Sequence, residues 1–422
     1  MKKALLLTFV MMTVAFNSCG KISSDNDIEN EEPKERKDIA LTRSQTQLVS
    51  SGNTLACNML KIIASQHSES FIFSPISLEY ALAMVNNGAA GETENQIRDV
   101  IGFGDRSVKE VNEFYKYLTE NLLNVDNTVA MNIANAQVFN TAIGDESKYN
   151  KDYKNALTGY YNALFEGYDF AKDNKKALSA INSWASKQTE GMINPLLDEL
   201  DPYSATLLMN AIYFKGSWAD KFDSSFTRKE DFTKGDGAKT KVDMMNQTSN
   251  VSYYFDKNCS AISKTYGNGA FKMTFILPDE GITTAELAKG LDRTALERII
   301  KRKGSEEVII KIPKFETSFT IELNDMLKSL GMVDAFNPTK ADFSSMSSHL
   351  SLYISRVLQK ARIKVEEKGT EAAAVTVIDM KLTSAIPSPG EPLTFYATRP
   401  FLYTISEIST GAILFMGQYN GD

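Results

Sequence analysis

Histidine and cysteine are scarce in this sequence, and their scarcity excludes several kinds of catalytic centre. Of 422 residues, two are histidines (His67 and His349) and three are cysteines. Two distant histidines cannot form an H-E-x-x-H zinc helix, and a four-ligand Cys/His metal site has too few ligands. The nucleophile elbow G-x-S-x-G and the phosphate loop G-x-x-x-x-G-K-[ST] are also missing. We therefore predict that the chain is not an enzyme and has no metal site and no cofactor.

An excess of basic residues is missing as well. Lysine and arginine number 46 against 53 acidic residues, which gives a net charge of −7. Because phosphate binding requires a basic face, we predict no nucleic-acid partner. The chain is 43% apolar, an ordinary globular proportion. No Pro/Gly linker and no fixed-period repeat divides residues 47–422, so we predict one interwoven domain.

The first 18 residues have the pattern of a secretion signal. Two lysines precede an apolar run from Ala4 to Phe16 that is too short for a comfortable membrane span. The ending "FNSC" resembles a bacterial lipoprotein signal, in which Cys19 would carry the lipid. Such signals more often have leucine at the position that Phe16 occupies here. We expect an exported protein, anchored by lipid in the outer membrane and facing the exterior or the periplasm. A plain secretory signal with an incidental cysteine, and hence a secreted protein, is the alternative.

Residues 19–46 are polar and mixed in charge, which predicts a flexible tether before the folded domain. Two cysteines remain in the domain, Cys57 and Cys259. They could pair in an exported chain, but sequence does not show whether they lie within bonding distance. Cys57 falls in the apolar helical pattern "NTLACNMLKIIA", which favours a buried free thiol.

Helical patterns dominate the first half of the domain and strand patterns the second. Apolar residues at helical spacing predict a helix from Leu48 to His67, and Ser74-Pro75 opens a second. A third is predicted after Gly91, with Thr93 as N-cap and Gln96 completing a capping box. Further helices are predicted in "VKEVNEFYKYLTENLLNV" and "ALSAINSWASKQTEGMINPLLDEL". Strands are predicted in "VAMNIANAQVFN", "SATLLMNAIYFKGSW", "ISKTYGNGAFKMTFILP", "EEVIIKIPKFETSFTIEL" and "LTFYATRPFLYTISEISTGAILFMGQY", so the fold class is mixed α+β.

A segment near the C-terminus, "EEKGTEAAAVTVIDMKLTSAIPSPG", alternates in an unusual way. From Thr370 to Thr383, every even-numbered residue is uncharged, and all charges fall on odd-numbered positions. Successive side chains of a strand face opposite sides. The segment could therefore lay one small-to-apolar face on a core along its whole length, although it reads otherwise as an exposed loop.

Long motifs in the domain resemble those of the serpin (serine protease inhibitor) family, in the same order, along nearly all of residues 47–422. They are "FIFSPISLEYALAMVNNGAAGET", "INSWASKQTEGMI", "LLMNAIYFKGSWADKFDSSFT", "IKIPKFETSFTIELNDMLKSLGMVDAFNPTKADFSSMS", "VLQKARIKVEEKGTEAAA" and "RPFLYTISEISTGAILFMGQ". The resemblance implies three β-sheets, eight to nine helices and an exposed reactive-centre loop. It also implies a metastable monomer that a target protease cleaves. The cut loop then inserts into the main sheet as an added strand and traps the protease as an acyl-enzyme.

The resemblance assigns roles to residues of the alternating segment. The hinge, where insertion would begin, comprises Gly369, Thr370, Glu371, Ala372, Ala373 and Ala374, which are small or permissive apart from Glu371. The family's usual spacing places the scissile bond at Thr383–Ser384, with cleavage after Lys381 or Leu382 as alternatives. Thr383 would suit an elastase-like protease, and Lys381 a trypsin-like or papain-like cysteine protease.

Other residues resemble the family's shutter and breach, which lie beneath and at the top of the opening sheet. They are Ser74, Ser77, Asn210, Trp218 and Gln359. Gln359 replaces the usual histidine, so it can donate and accept hydrogen bonds but does not titrate near neutral pH. A non-inhibitory serpin that binds or carries a ligand is the alternative function. Such relatives tend to carry bulky or charged hinge residues, so this hinge favours inhibition.

Overall fold

The computed structural model describes residues 33–370 and 392–422. Within these residues the chain forms nine α-helices. They are α1 (Arg43–Gln66), α2 (Pro75–Asn86), α3 (Gly91–Ile101), α4 (Val108–Leu122), α5 (Lys151–Tyr160), α6 (Asn174–Gln188), α7 (Thr284–Gly290), α8 (Arg293–Ile300) and α9 (Asn324–Ser329). The predicted mixture of helices and strands and the expected number of helices are confirmed.

The described part of the chain also contains fifteen strands. They are β1 (Phe71–Phe73), β2 (Val129–Asn140), β3 (Leu164–Tyr168), β4 (Thr206–Ser217), β5 (Arg228–Thr233), β6 (Lys239–Phe255), β7 (Cys259–Thr265), β8 (Phe271–Pro278), β9 (Glu306–Pro313), β10 (Phe315–Glu322), β11 (Leu358–Glu366), β12 (Gly369–Thr370), β13 (Leu393–Tyr396), β14 (Phe401–Glu407) and β15 (Ile413–Tyr419).

The strands form two hydrogen-bonded networks. The first is a six-stranded sheet in the order β10-β11-β12-β4-β2-β3. The second runs β1-β15-β14-β8-β7-β6-β9-β13, with β5 also on β6. Two of the three expected sheets are joined here, because the 17-residue strand β6 pairs with β5 and β9 over most of its length and with β7 at its end.

Helix α2 lies at the centre of the molecule. All of its residues except Ala81 are buried, and it contacts β4 of the first network and β15 of the second. Its start follows from its sequence, because Ser74 caps it by accepting a hydrogen bond from the Ser77 N–H, and Pro75 occupies the first helical position. A helix buried on all sides can connect both sheets, and α2 does so.

The folded part of the chain begins earlier than residue 47. Helix α1 starts at Arg43, where Thr42 and Gln45 form a capping box. Ahead of it, Ile39 is buried and its N–H donates to Ser409 Oγ at 2.9 Å, while Arg36 donates to the Gly269 carbonyl at 2.9 Å. The polar composition of this stretch concealed these contacts, so the predicted end of the tether at residue 46 is wrong.

Two helix-end predictions are also wrong. Thr93 lies inside α3, where its Oγ1 accepts a hydrogen bond from the Asp342 N–H at 2.9 Å. Gln96 Oε1 accepts from the Val333 and Asp334 N–H groups instead of closing a capping box. Helix α6 stops at Gln188 because the chain turns at Gly191, which has a φ of 82°.

Both cysteines of the domain are free and buried, as the sequence favoured for Cys57. Burial raises the pKa of each thiol to about 12, so neither is a reactive thiolate near neutral pH. Among the described helices, none combines the length and the apolar character that a membrane crossing requires.

Helix α2 also buries a carboxyl group that has no cationic partner among residues 33–370 and 392–422. Glu79 is 7% exposed, and the Tyr115 hydroxyl donates a hydrogen bond to its Oε2 at 3.3 Å. A Cβ atom on Gly52 of α1 would lie 2.3 Å from Glu79 Oε1, so the glycine leaves room for the carboxyl. Burial raises the pKa of Glu79 to about 8, because a buried charge loses its hydration.

This carboxyl should make the folded state less stable as the pH rises. An unfolded glutamate ionises near pH 4.3, whereas Glu79 in the fold stays protonated up to about pH 8. Between these values the folded state binds one proton more, so the free energy of unfolding falls by about 1.4 kcal/mol per pH unit. We expect Glu79→Gln to remove this slope in urea unfolding measured at pH 5, 6, 7 and 8. An equal slope in the variant would contradict the assignment.

Candidate functional site

The first two residues of the predicted hinge lie inside the six-stranded sheet. Thr370 of β12 pairs with Val365 of β11 on one side and with Gly216 of β4 on the other. In the described residues, β12 is the strand that stands between β4 and β11, and no hydrogen-bonded register joins those two strands directly. Strand β12 therefore occupies the interval between β4 and β11 and runs antiparallel to both.

Close packing explains why glycine and threonine occupy β12. Gly369 has a φ of 155°, and a Cβ atom there would lie 2.1 Å from the Gly216 carbonyl oxygen. The position therefore requires glycine for steric reasons. Thr370 is 2% exposed, and its hydroxyl is 2.6 Å from the Tyr266 hydroxyl.

The three residues before β12, Glu366–Lys368, form the hinge base and are held by the segment Trp218–Phe222. The Trp218 indole N–H donates to the Glu366 carbonyl at 2.9 Å, and its backbone N–H donates to the Lys368 carbonyl at 2.8 Å. The Phe222 N–H donates to the Glu367 carbonyl at 2.9 Å. Trp218, the predicted breach residue, thus fixes the backbone from which the loop departs.

Charged groups also hold the hinge base. Lys314 Nζ lies 2.9 Å from Glu367 Oε2 and 3.6 Å from Glu366 Oε1, and the Thr227 hydroxyl donates to Glu367 at 2.8 Å. Partial burial raises the pKa of Glu367, but the bonds from Lys314, its own backbone and Thr227 outweigh that effect and leave it below its usual value. Glu367 is therefore ionised at neutral pH and bound on two sides.

Ser74, Ser77, Asn210 and Gln359 form one hydrogen-bonded chain beneath the interval. Gln359 of β11 accepts from the Ser74 N–H at 2.9 Å and donates to the Ser74 carbonyl at 2.8 Å. The Ser77 N–H donates to Ser74 Oγ at 3.3 Å. The Ser77 hydroxyl in turn donates to Asn210 Oδ1 of β4. The start of α2 therefore connects β11 to β4 from below through these four residues.

The cluster continues under β2. Asn210 donates to Asn135 Oδ1 at 2.7 Å, and Asn135 donates to the Tyr161 carbonyl at 2.9 Å. Asn135, Tyr266, Phe222 and Lys314 were missed at the sequence level. Each lies in a pattern typical of an ordinary strand or turn, and only the fold brings them to the site.

Several predicted residues lie outside the described residues. They are Cys19, Glu371, Ala372, Ala373, Ala374, Lys381, Leu382, Thr383 and Ser384. Within residues 33–370 and 392–422, no three His, Cys, Asp or Glu side chains gather closely enough to hold a metal ion.

Comparison with known proteins decides the family. A family model described as "Serpin (serine protease inhibitor)" matches residues 50–421. The chain is a serpin. Iripin-8 of Ixodes ricinus is 31% identical over 387 residues, covering 90% of this chain and 95% of the relative. Human Serpin B8 is 31% identical over 384 residues, covering 88% and 99%.

Solved serpin structures have the same fold. Tengpin, a thermophilic serpin solved in its native state, superposes with a TM-score of 0.80 at 31% identity, covering 93% of this chain and 98% of tengpin. Human thyroxine-binding globulin, solved with its hormone, gives a TM-score of 0.79 at 26% identity, covering 89% and 98%. The serpin fold expected from the sequence motifs is confirmed.

The shutter geometry predicts the effect of replacing Gln359. This side chain is 8% exposed and satisfies the buried N–H and carbonyl of Ser74. Gln359→Leu would leave both backbone groups without these partners, at a cost of about 1–3 kcal/mol in the free energy of unfolding. Chemical denaturation should show the loss, and Lys360→Leu, on the adjacent half-buried position, should show little change. An unaffected Gln359→Leu variant would contradict the role of this bridge.

Proposed function

We propose that this serpin is an irreversible suicide-substrate inhibitor of serine endopeptidases, and of cysteine endopeptidases in addition. On this proposal the chain is not an enzyme; a target protease cleaves the loop, and the loop then inserts between β4 and β11. The observation that carries the proposal is the double pairing of β12, which supplies the first two residues of such a strand.

Extending the β12 register gives the geometry expected of the inserted loop. Thr370 lies opposite Val365 and Gly216, so a residue n positions further on would lie opposite 365 − n and 216 − n. On β11 the odd-numbered residues, such as Ile363 and Ala361, are the buried ones. Even-numbered loop residues would therefore face the core, and these are the uncharged residues of the segment.

The same register favours small hinge side chains. Ala374 would lie between Ala361 of β11 and Ile212 of β4, both of which are buried. A closely packed site of this kind leaves no room for a bulky group while the strands separate. Six positions after Thr370, Thr376 would lie opposite Gln359 and Asn210, so its hydroxyl would meet both ends of the shutter chain.

We further propose Thr383–Ser384 as the scissile bond, with Lys381 and Leu382 as alternative cleavage positions. Elastase-like, trypsin-like and papain-like proteases are the corresponding targets. The leader and Cys19 support an exported lipoprotein of a bacterial envelope, with secretion as the alternative. We also propose that the serpin acts as a monomer.

The trap predicts a covalent complex. We expect a denaturing gel of the mature chain with trypsin, an elastase or a papain-like protease to show a band at the summed mass. Mass analysis of the released C-terminal peptide would identify the scissile bond. Cleavage between Met380 and Gly390 by all three proteases without such a band would contradict inhibition and favour a non-inhibitory serpin.

The register predicts opposite outcomes for two neighbouring substitutions. Ala374→Glu would place a charge on the core-facing side, which costs several kcal/mol without a partner. We expect insertion to stall and the variant to be cleaved as a substrate. Ala373→Glu would face outward near Arg362, which is exposed, and should keep most inhibition.

For both variants, the efficiency of inhibition is measured as the ratio of covalent complex to cleaved chain on gels. Equal behaviour of the two would show that the proposed register is wrong, since the alternation predicts a difference between adjacent positions.

A further inference from the structure

A buried lysine lies behind the segment that holds the hinge base. Lys264 of β7 is 3% exposed, and its Nζ donates to Gln247 Oε1 of β6 at 2.8 Å. The same Nζ lies 4.5 Å from the centre of the Phe222 ring and 5.9 Å from that of Trp218. An ammonium over aromatic rings at such distances is attracted by their faces.

The polar contacts of this lysine also connect it to the Trp218–Phe222 segment. Gln247 donates to Asp220 Oδ2 at 2.8 Å and to the Lys221 carbonyl at 3.2 Å. Ser249 Oγ also donates to Asp220 Oδ2, at 2.5 Å. Lys264 thus contacts two rings of the Trp218–Phe222 segment directly, and through Gln247 it contacts the residues between them.

The burial of this ammonium is costly. Among the described residues no carboxylate forms an ion pair with Lys264, and Asp220 acts on it only at longer range. Burial lowers the pKa of Lys264 to about 8, an effect that Asp220 partly opposes. A methionine would fill a similar space without this cost, so packing alone does not explain a lysine here.

We propose that Lys264 is a positioning residue whose ammonium holds Phe222 and Trp218 against the hinge base, so that the loop enters the sheet in register. This role rests on the proposed inhibitory function. The two held residues donate three hydrogen bonds to the carbonyls of Glu366, Glu367 and Lys368. Loss of the cation would loosen these donors and let cleaved loops escape insertion.

Tyr266, Glu367 and Lys314, which lie near the segment, do not change charge near pH 8. Tyr266, stacked on Trp218 with ring centres 4.4 Å apart, has its pKa raised well above its usual value by burial. The pKa of Glu367 is lowered; that of Lys314 is raised, because its bond to Glu367 outweighs burial. Glu79 and Lys272 also have pKa values of about 8, so a pH response of Trp218 near 8 is assigned to Lys264 when Lys264→Met removes it.

A second buried lysine provides a matched control. Burial lowers the pKa of Lys272 on β8 to about 8 as well, and Arg36 adds to the effect. Lys272 donates to the Ile300 carbonyl, and it pairs with Thr265, so its side chain lies on the opposite face of the sheet from Lys264. Removing either lysine relieves a buried charge, but only Lys264 touches the rings.

Tryptophan fluorescence tests the contact without any protease. The chain has two tryptophans, Trp184 and Trp218, so Trp184→Phe leaves Trp218 as the reporter. We expect its emission to titrate with a midpoint near pH 8, to lose this transition in Lys264→Met, and to keep it in Lys272→Met. A flat wild-type profile, or a transition that survives in Lys264→Met, would overturn the proposal.

Inhibition tests the role. We expect Lys264→Met to need several-fold more serpin per protease molecule inhibited at pH 7 without any loss of thermal stability, and Lys272→Met to match the wild type. Raising the pH from 7 to 9 should increase the requirement for the wild type but not for Lys264→Met. An unchanged requirement in Lys264→Met, or an equal increase in Lys272→Met, would refute the positioning role.

Two further results separate this proposal from the proposed function. If Lys264→Met does not fold, Lys264→Leu replaces it in both experiments, and the wild-type pH profile is judged by the same expected results. Absence of any covalent complex with the wild type would refute inhibition itself, and with it the role in insertion, whereas the fluorescence titration would still decide the contact.

Discussion

The double pairing of β12 is the interaction on which the rest of the site depends. Its two residues are hydrogen-bonded to both β4 and β11. On the proposed function, an inserted loop would continue this register, and because side chains alternate along a strand, its even-numbered residues would face the core. Gly216 lies too close to Gly369 for any Cβ atom, so this position of β12 admits only glycine. The hinge base accepts hydrogen bonds from the Trp218 indole and from the Trp218 and Phe222 backbone N–H groups, and it forms an ion pair with Lys314.

Helix α2 couples this interval to the remainder of the fold. Its first turn connects β11 to β4 through Ser74 and Ser77, so separating the two strands must disturb the buried start of a central helix. One turn further along, Glu79 places a carboxyl in the core with a single hydroxyl donor. The same helix therefore contains a well-satisfied polar cluster and a poorly satisfied one. The first connects β11 to β4, and the second reduces the stability of the folded state as the pH rises.

Lys264, the buried lysine on β7, is a second buried ionisable group that costs stability, and it lies near the hinge base. In some proteins, buried polar groups that cost stability are retained because they orient their neighbours, which is the role we propose for Lys264. Its ammonium faces the rings of Trp218 and Phe222, the two residues that donate hydrogen bonds to the hinge base. Glu79 and Lys264 have opposite charge, and their pKa values are shifted toward each other by the same cause, loss of hydration on burial. Their effects on stability with pH are also opposite in sign, because one buried group binds a proton more tightly in the fold and the other more weakly.

Local patterns in the sequence determined much of this protein: the long helices, most of the strands, the uncharged alternation after Thr370, and the motifs that predicted the family and the four shutter residues. These features depend on neighbours in the chain, where periodicity and capping act. Tertiary structure alone decided the rest. Thr93 and Gln96 have the spacing of a capping box, yet their side chains bind backbone groups of residues 333–342, because distant N–H groups compete for the same oxygens. Residues 33–42 are polar in composition but join the fold through contacts with residues far along the chain. In the sequence, Lys264 has the pattern of an ordinary strand lysine. It is buried only because β6, β7 and the Trp218–Phe222 segment pack around it. Burial of this kind depends on the assembled chain and cannot be inferred from the residues next to Lys264 in the sequence.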